Sequence, residues 1–130
     1  MLRDALVHYL EDIESAVREL NDVYVEHYEE EYLASDRVNL RIRIRFATGY
    51  LLELNEAAIL EGGNIKHLGY RYHFQDTKNQ LIFRYDNTPH YPNLKSSPHH
   101  KHSKREVIAV EKPSIPNVLE EVKSIAQPAE

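Results

Sequence analysis

Hydrophobic residues near the start of the chain recur at intervals of three and four positions, as on one face of an α-helix. They are Leu2, Leu6, Tyr9, Ile13, Ala16 and Leu20. Asn21-Asp22 is a typical end for such a helix. The polar positions between them are mainly acidic. We therefore expect the apolar face to pack on a sheet, since membrane surfaces favour basic amphipathic helices. The pattern predicts a helix over about residues 2–21.

From about residue 23 the hydrophobic period changes to two, which is typical of strands with one buried face. The predicted strands cover residues 24–33, 38–46, 50–60, 67–74 and 81–85. For residues 24–33 a helical extension is the competing interpretation, because that segment contains three consecutive glutamates. His67 follows the Gly62-Gly63 turn closely and is expected on the surface.

The first predicted hairpin has a favoured register. Pairing Phe46 with Leu52 places apolar residues opposite each other on one face. The same register places Arg45 opposite Glu53, so charge matching supports the same alignment.

The second predicted hairpin raises a charge conflict. Placing Gln75 opposite Gln80 pairs every apolar residue of the two strands with another. That register sets Arg71 against Arg84, and directly opposed like charges are unfavourable. An anion or Asp86 between the two arginines would relieve the conflict, so the pair is interpreted as functional.

The C-terminal part of the chain combines a loop, a short strand and a helix. Residues 87–105 are rich in histidine and proline and are predicted as a loop. A short strand is predicted within 106–111, and Ser114 is a suitable cap for a final helix over about 115–126. A helix, an antiparallel meander of about five to six strands and a C-terminal helix form an α+β fold. The 130 residues fit one domain spanning the whole chain.

The net charge of −5 is unevenly distributed along the chain. Residues 1–36 carry a net charge of −9, residues 37–105 carry +7, and residues 106–130 carry −3. Six of the eight histidines also lie in the basic segment. Such a segment suggests an anionic ligand or an acidic partner, or alternatively charge neutralisation by the acidic N-terminal segment within the fold.

Residues of the basic segment fit the chemistry of RNA cleavage. The reaction needs a base, an acid and cations that stabilise charge on phosphorus, and the RNA 2′-hydroxyl can serve as nucleophile without a metal. We interpret Arg71 and Arg84 as phosphate ligands because guanidinium groups bind phosphate with two parallel hydrogen bonds. His73 and one later histidine would be base and acid, with Tyr85 or Asp86 orienting them. The candidate catalytic residues are Arg71, His73, Arg84, Tyr85, Asp86, His99, His100 and His102. The candidates for substrate binding are Lys101, His90 and Arg43.

A metal site is the main alternative, although metal-independent cleavage needs no cofactor. In an extended segment His100 and His102 project to the same side and could bind a divalent transition metal, with His73, His90 or Asp86 as a third ligand. Such a site would serve a metal-dependent hydrolase or nucleotidyltransferase. The chain contains no cysteine, which excludes thiolate ligands and disulfides.

Three motifs of the basic segment resemble those of the TumE-type toxins of bacterial and archaeal toxin–antitoxin pairs. They are YRYHFQD at residues 70–76, LIFRYDNTPH at 81–90 and PHHKH at 98–102. Tyr91 stands where that family often has a second histidine after the proline. The similarity extends more loosely from the first helix to the last, so it covers nearly the whole chain.

The resemblance implies a growth-inhibiting toxin held in check by an antitoxin with a DNA-binding helix-turn-helix. RNA binding and RNA cleavage rest on the residues and not on the resemblance. A non-enzymatic module that docks an antitoxin is a further interpretation. No run approaches the length of a membrane span and the start lacks a signal peptide, so we expect a cytoplasmic protein that does not bind membranes. The sequence is also compatible with a homodimer.

Overall fold

The computed structural model describes residues 2–88 and 97–127. Helix α1 covers Leu2–Arg18 and helix α2 covers Ile115–Ala126. Between the helices lie seven strands: β1 Val23–Ala34, β2 Arg37–Phe46, β3 Leu51–Glu61, β4 Asn64–Gln75, β5 Leu81–Asp86, β6 His100–Ser103 and β7 Val107–Ala109.

The strands form one antiparallel sheet in which spatial order follows chain order from β1 to β7. Each strand therefore pairs with its neighbours in sequence, which is the simplest connection between antiparallel strands. β1 and β7 form the two edges of the sheet.

Both helices lie on the same face of the sheet, here called the helix face. Apolar side chains of α1 and α2 pack there with alternate residues of the central strands. The core includes Leu6, Leu10, Ile13, Leu40, Ile44, Leu52, Leu54, Tyr72, Phe74, Val118 and Val122. Burial of each large apolar side chain contributes about 1.5–3 kcal/mol to folding. The opposite face, here called the open face, carries the polar residues of the strand alternation.

The predicted α+β class, with a terminal helix at each end of an antiparallel meander, is confirmed. The segment with three consecutive glutamates is strand β1 and not an extension of α1. Ser114 caps α2 as predicted, since its side chain accepts a hydrogen bond from the Asn117 amide.

The sheet has more strands than the five to six predicted, because β6 lies inside the segment 87–105 that was predicted as a loop. β6 consists of His100, Lys101, His102 and Ser103, so it has no apolar alternation to indicate a strand. Its pairing with β5 on one side and β7 on the other holds it in the sheet.

Both predicted hairpin registers are wrong by two residues. Ile44 and not Phe46 lies opposite Leu52. Turn geometry explains this shift, because the Phe46 amide donates to the Tyr50 carbonyl and Gly49 has a φ of 97°. A shift of two residues keeps every side chain on its predicted face, since side chains in a strand alternate with a period of two.

In the second hairpin, a bulge near Phe74 and Gln75 changes the pairing between β4 and β5. Arg71 faces Asp86 and not Arg84. The predicted apposition of two arginines is therefore wrong, and Arg84 instead faces His73.

Candidate functional site

The open face of the sheet brings most of the predicted site residues into two neighbouring cross-strand rows. The first row runs through Arg41, Asn55, Arg71, Asp86 and His100. The second row runs through Arg43, Glu53, His73, Arg84 and His102. Adjacent members of a row lie on neighbouring strands, about 4.8 Å apart along the hydrogen-bonding direction. Residues that are distant in sequence thus form two continuous polar rows, in which Asp86 and His100 are buried.

The arginines of this surface differ in their partners. Arg43 contacts Glu26 Oε1 at 2.7 Å and Glu53 Oε1 at 2.8 Å, and Arg45 contacts Glu26 Oε2 at 3.1 Å. Arg43 was predicted to bind substrate, but its guanidinium is already bound to two carboxylates. The predicted pairing of Arg45 with Glu53 is wrong, because Glu53 lies opposite Arg43 and contacts it.

Three other arginines of the open face, Arg41, Arg71 and Arg84, form no ion pair with any of the residues that the structure describes. The Nε atom of Arg84 is buried and has no hydrogen-bond partner within the described ranges. A buried guanidinium N–H without an acceptor is unfavourable, so an anion in contact with it would be stabilised.

His73 lies between two of these arginines. Arg71 precedes it by two residues on the same face of β4, and Arg84 faces it from β5. Burial lowers the pKa of His73, and the charges of Arg71 and Arg84 lower it further, against a raising effect of the hydrogen bond with Gln75. The His73 Nε2 atom lies 2.9 Å from Gln75 Oε1, whereas Nδ1 is buried. Gln75 Oε1 can only accept a hydrogen bond, so His73 Nε2 carries the ring proton and the lone pair lies on the buried Nδ1. The lowered pKa of His73 favours its neutral form at neutral pH.

Asp86, His100 and His102 form a cluster at the end of the two rows. His100 Nε2 lies 2.7 Å from Asp86 Oδ1, and His102 Nε2 lies 3.5 Å from Asp86 Oδ2. The Thr88 amide donates to Asp86 Oδ1 at 3.0 Å. His100 is 1% exposed and Asp86 is 4% exposed, whereas His102 is partly exposed. His102 is thus the histidine of this cluster that an external substrate can reach.

Three predicted site residues lie on the helix face instead. Lys101 Nζ contacts Glu121 of α2 at 2.6 Å, and the Tyr85 hydroxyl donates to the same carboxylate at 2.7 Å. His99 Nδ1 lies 2.9 Å from the Tyr70 hydroxyl, and the two rings stack. The structure does not bring these residues together with His73. His90 lies outside the described residues.

Two adjoining cavities indent the open face beside the arginines. One has a volume of about 440 Å³ and is lined by Asn55, Arg71 and Thr88 among others. The second has a volume of about 340 Å³, and Arg41 and Asn55 line both. A larger cavity of about 720 Å³ lies between α1 and β1, far from the candidate chemistry, and is lined mainly by apolar and acidic side chains.

A family model described as Toxin TumE matches residues 10–126. The chain belongs to the TumE toxin family. The resemblance inferred from the three motifs is therefore confirmed, and membership implies an antitoxin as partner. No curated protein and no solved structure matches the chain. Within the described ranges, neither helix is long and apolar enough to cross a membrane.

The TumE motif residues divide between the two faces of the sheet. In residues 70–76, Arg71 and His73 point to the open face, whereas Tyr70 and Tyr72 are buried on the helix face. The segment 98–102 divides in the same way. The motifs of this TumE protein therefore combine a polar surface with the contacts that hold β5 and β6 against the helices.

A buried network around Glu56 was not predicted. The Glu56 carboxylate accepts hydrogen bonds from the hydroxyls of Tyr9 and Tyr72, and His67 Nε2 lies 3.1 Å from it. His67 was expected on the surface, but its side chain is 17% exposed because it packs beside this acid. The sequence contains one signal for this network, because Glu56 shares the apolar face of β3 with Leu52, Leu54 and Ala58. A charged residue at such a position indicates a buried carboxylate with polar partners.

The environment of Glu56 favours its ionised form. Burial alone would raise the pKa of Glu56, but hydrogen bonds and charge from His67, with hydrogen bonds from Tyr72 and Tyr9, hold the pKa below its ordinary value. Because Tyr9 belongs to α1 and Tyr72 to β4, the carboxylate links the first helix to the centre of the sheet. We assign this network to fold stability.

Proposed function

We propose that this TumE-family toxin binds RNA on the open face of its sheet and cleaves it as a metal-independent ribonuclease. The observation that carries the proposal is the contrast among the arginines. Arg43 and Arg45 are neutralised by carboxylates, whereas Arg41, Arg71 and Arg84 keep their charge without an ion pair among the described residues. Guanidinium groups without a carboxylate partner can bind the phosphates of a polyanion such as RNA.

The order of side chains in the second row supports a cleavage mechanism. His73, Arg84 and His102 follow one another on β4, β5 and β6. Arg84, with Arg71, would hold the scissile phosphate between the two histidines. To act as the base, His73 would release Gln75 and move its ring proton from Nε2 to Nδ1. Nε2 would then take the proton of the RNA 2′-hydroxyl.

The 2′-oxygen would then attack phosphorus, and the bond to the 5′-oxygen would break. His102 would give a proton to that leaving oxygen, so the products would be a 2′,3′-cyclic phosphate and a 5′-hydroxyl end. His100 takes no direct part in this mechanism because its side chain is buried. Asp86 contacts both His100 and His102, so its role would be to orient His102.

The antitoxin partner is proposed to be a DNA-binding helix-turn-helix protein. This part of the proposal rests on the motif resemblance. A metal-dependent hydrolase is the second candidate function, and the convergence of Asp86, His100 and His102 is the observation that favours it.

The experiment is incubation of the purified toxin with single-stranded RNA in excess chelator, with analysis of the product ends. We expect cleavage, and His73→Gln should slow it by about 10²–10⁴-fold, which is the usual contribution of a general base. Arg43→Gln is the matched control, since it removes an arginine from the same face that already has carboxylate partners. Circular dichroism checks that each variant folds.

The outcomes separate the parts of the proposal. Intact RNA beside growth arrest by the same protein would overturn ribonuclease activity. Cleavage that stops in chelator would overturn the metal-independent mechanism and favour the second candidate. Equal loss of activity in His73→Gln and Arg43→Gln would remove the assigned role of His73.

A further inference from the structure

The protonation of His100 is determined by its two neighbours. Its Nδ1 lies 2.8 Å from the backbone carbonyl oxygen of Pro98. A carbonyl oxygen can only accept a hydrogen bond, so Nδ1 carries the proton. The neutral ring therefore presents the lone pair of Nε2 to Asp86 Oδ1, which is another acceptor and lies 2.7 Å away.

The lone pair of His100 Nε2 and the Asp86 Oδ1 atom repel each other at this distance unless a positive charge lies between them. A second proton on His100 would supply it, and so would a metal ion. Metal-binding histidines typically donate one ring N–H to a backbone carbonyl and bind the ion with the other nitrogen. In His100 the donating nitrogen is Nδ1, and Nε2 is the nitrogen that could bind an ion.

A third ligand atom comes from the neighbouring histidine of the strand. His100 and His102 are separated by one residue in β6, so both side chains project to the open face. One ligand atom from each histidine and one carboxylate oxygen of Asp86 all lie within 4.8 Å of one another. Two imidazoles and a carboxylate form a donor set that divalent transition metals such as Zn²⁺ favour.

We propose that Asp86, His100 and His102 bind a divalent transition metal ion, with Zn²⁺ as the ion that best suits two nitrogens and one oxygen. Tetrahedral ligands at ordinary zinc distances lie about 3.4 Å apart. Binding would therefore widen the 2.7 Å separation between His100 and Asp86, which requires a small rotation of the carboxylate. Three protein ligands leave one position for water or another ligand, on the side of the partly exposed His102.

The proposed metal site lies beside two arginines of the open face. Asp86 faces Arg71 across β4 and β5, and His102 faces Arg84 across β5 and β6. An anion bound to these arginines would approach the metal. The inference does not depend on RNA cleavage, because metal binding is measured without substrate. It competes with the acid role proposed for His102, because the same ring nitrogen cannot ligate the ion and donate a proton.

The test uses the full chain purified without a polyhistidine tag and freed of metal by chelator. Titration calorimetry with Zn²⁺ should show one equivalent bound, and Co²⁺ should give the visible absorption of a tetrahedral site. His102→Ala should weaken binding by at least about tenfold, since it removes a direct ligand. His99→Gln is the matched control, because it removes an imidazole from the same segment on the other face of the sheet.

A second measurement uses the wild-type chain alone, so it does not depend on the folding of a variant. Nitrogen NMR of the His100 ring should show a proton on Nδ1 and a Zn²⁺-dependent change at Nε2. An imidazolium with protons on both nitrogens that persists in excess Zn²⁺ would overturn the proposal. Binding that is equally strong in wild type and His102→Ala would overturn it as well, as would no binding to the wild type.

Discussion

His73 and Arg84 face each other across β4 and β5 on the open face of the sheet. The pairing sets a positive charge beside a half-buried imidazole and leaves the Arg84 Nε atom without a hydrogen-bond partner among the described residues. An arginine in this position has two effects. It adds to the lowering of the His73 pKa by burial, and it attracts an anion to the same point.

The first prediction concerns the titration of His73. Burial and the charges of Arg71 and Arg84 lower its pKa, so wild-type His73 should titrate below the ordinary value of about 6.5. Arg84→Gln removes one positive charge, so the pKa should rise. Cleavage that needs neutral His73 should then fall off at a higher pH than in wild type.

The measurement is a proton NMR titration of the His73 ring, together with the pH dependence of kcat/KM. Arg45→Gln is the control, because Arg45 is bound to Glu26 and is not among the charges that shift the His73 pKa. A His73 titration that is unchanged in Arg84→Gln would contradict the assigned coupling.

The second prediction concerns the salt dependence of RNA binding. Replacing Arg41 or Arg71 with Gln should weaken binding to single-stranded RNA and reduce the slope of log affinity against log salt by about 0.7 for each phosphate that the protein no longer neutralises. Arg45→Gln should change the slope little, since Arg45 is bound to Glu26. Fluorescence anisotropy at several salt concentrations gives the slopes. If Arg45→Gln changes the slope as much as Arg71→Gln does, ion pairing does not select the RNA-binding arginines.

Alternation of apolar and polar residues predicted the face of the sheet for most side chains of the central strands, with His67 as an exception next to a bulge. Arg71, His73 and Arg84 were placed together for this reason, and the structure has them on one face. The pairing of Arg71 with Arg84 was wrong because it depends on turn and bulge geometry, and a shift of two residues changes partners without changing faces.

Strand β6 could not be predicted from periodicity, because it has no apolar residues. An extended segment was expected to project His100 and His102 to the same side, but its sequence does not indicate which face of the sheet that is, or that Lys101 points to α2. Glu56 was missed for a related reason. Its partners come from α1 and β4, and contacts between distant elements leave no local pattern.

The third prediction concerns the buried carboxylate of Glu56. Glu56→Gln should lower the free energy of unfolding by about 1–3 kcal/mol at neutral pH, because a buried hydrogen-bond network loses its charged acceptor. Since the folded state depresses the Glu56 pKa, its stabilising contribution is present above the unfolded value of about 4.3. That contribution is lost as the pH falls through the lower, folded-state pKa.

Urea unfolding at several pH values measures this effect in wild type and in Glu56→Gln. The difference between the two proteins should shrink as the pH is lowered below about 4. Glu61→Gln is the control, because Glu61 is exposed at the end of β3. A difference that stays constant down to the lowest accessible pH would contradict a depressed Glu56 pKa.

The last prediction separates the structural from the functional residues of the PHHKH segment. Lys101 contacts Glu121 and lies over the rings of Phe83 and Tyr85 on the helix face. Lys101→Ala should therefore destabilise the fold by about 1–2 kcal/mol, because it removes a partly buried charged hydrogen bond and the packing of the lysine stem. At a temperature where the Lys101→Ala variant is fully folded, its affinity for RNA should match that of wild type. His102→Ala should leave the stability nearly unchanged and slow RNA cleavage by about 10²–10⁴-fold, the usual contribution of a general acid. Thermal unfolding, RNA binding and RNA cleavage are measured on the same samples. Reduced RNA affinity in folded Lys101→Ala would place Lys101 at the substrate surface and contradict the prediction.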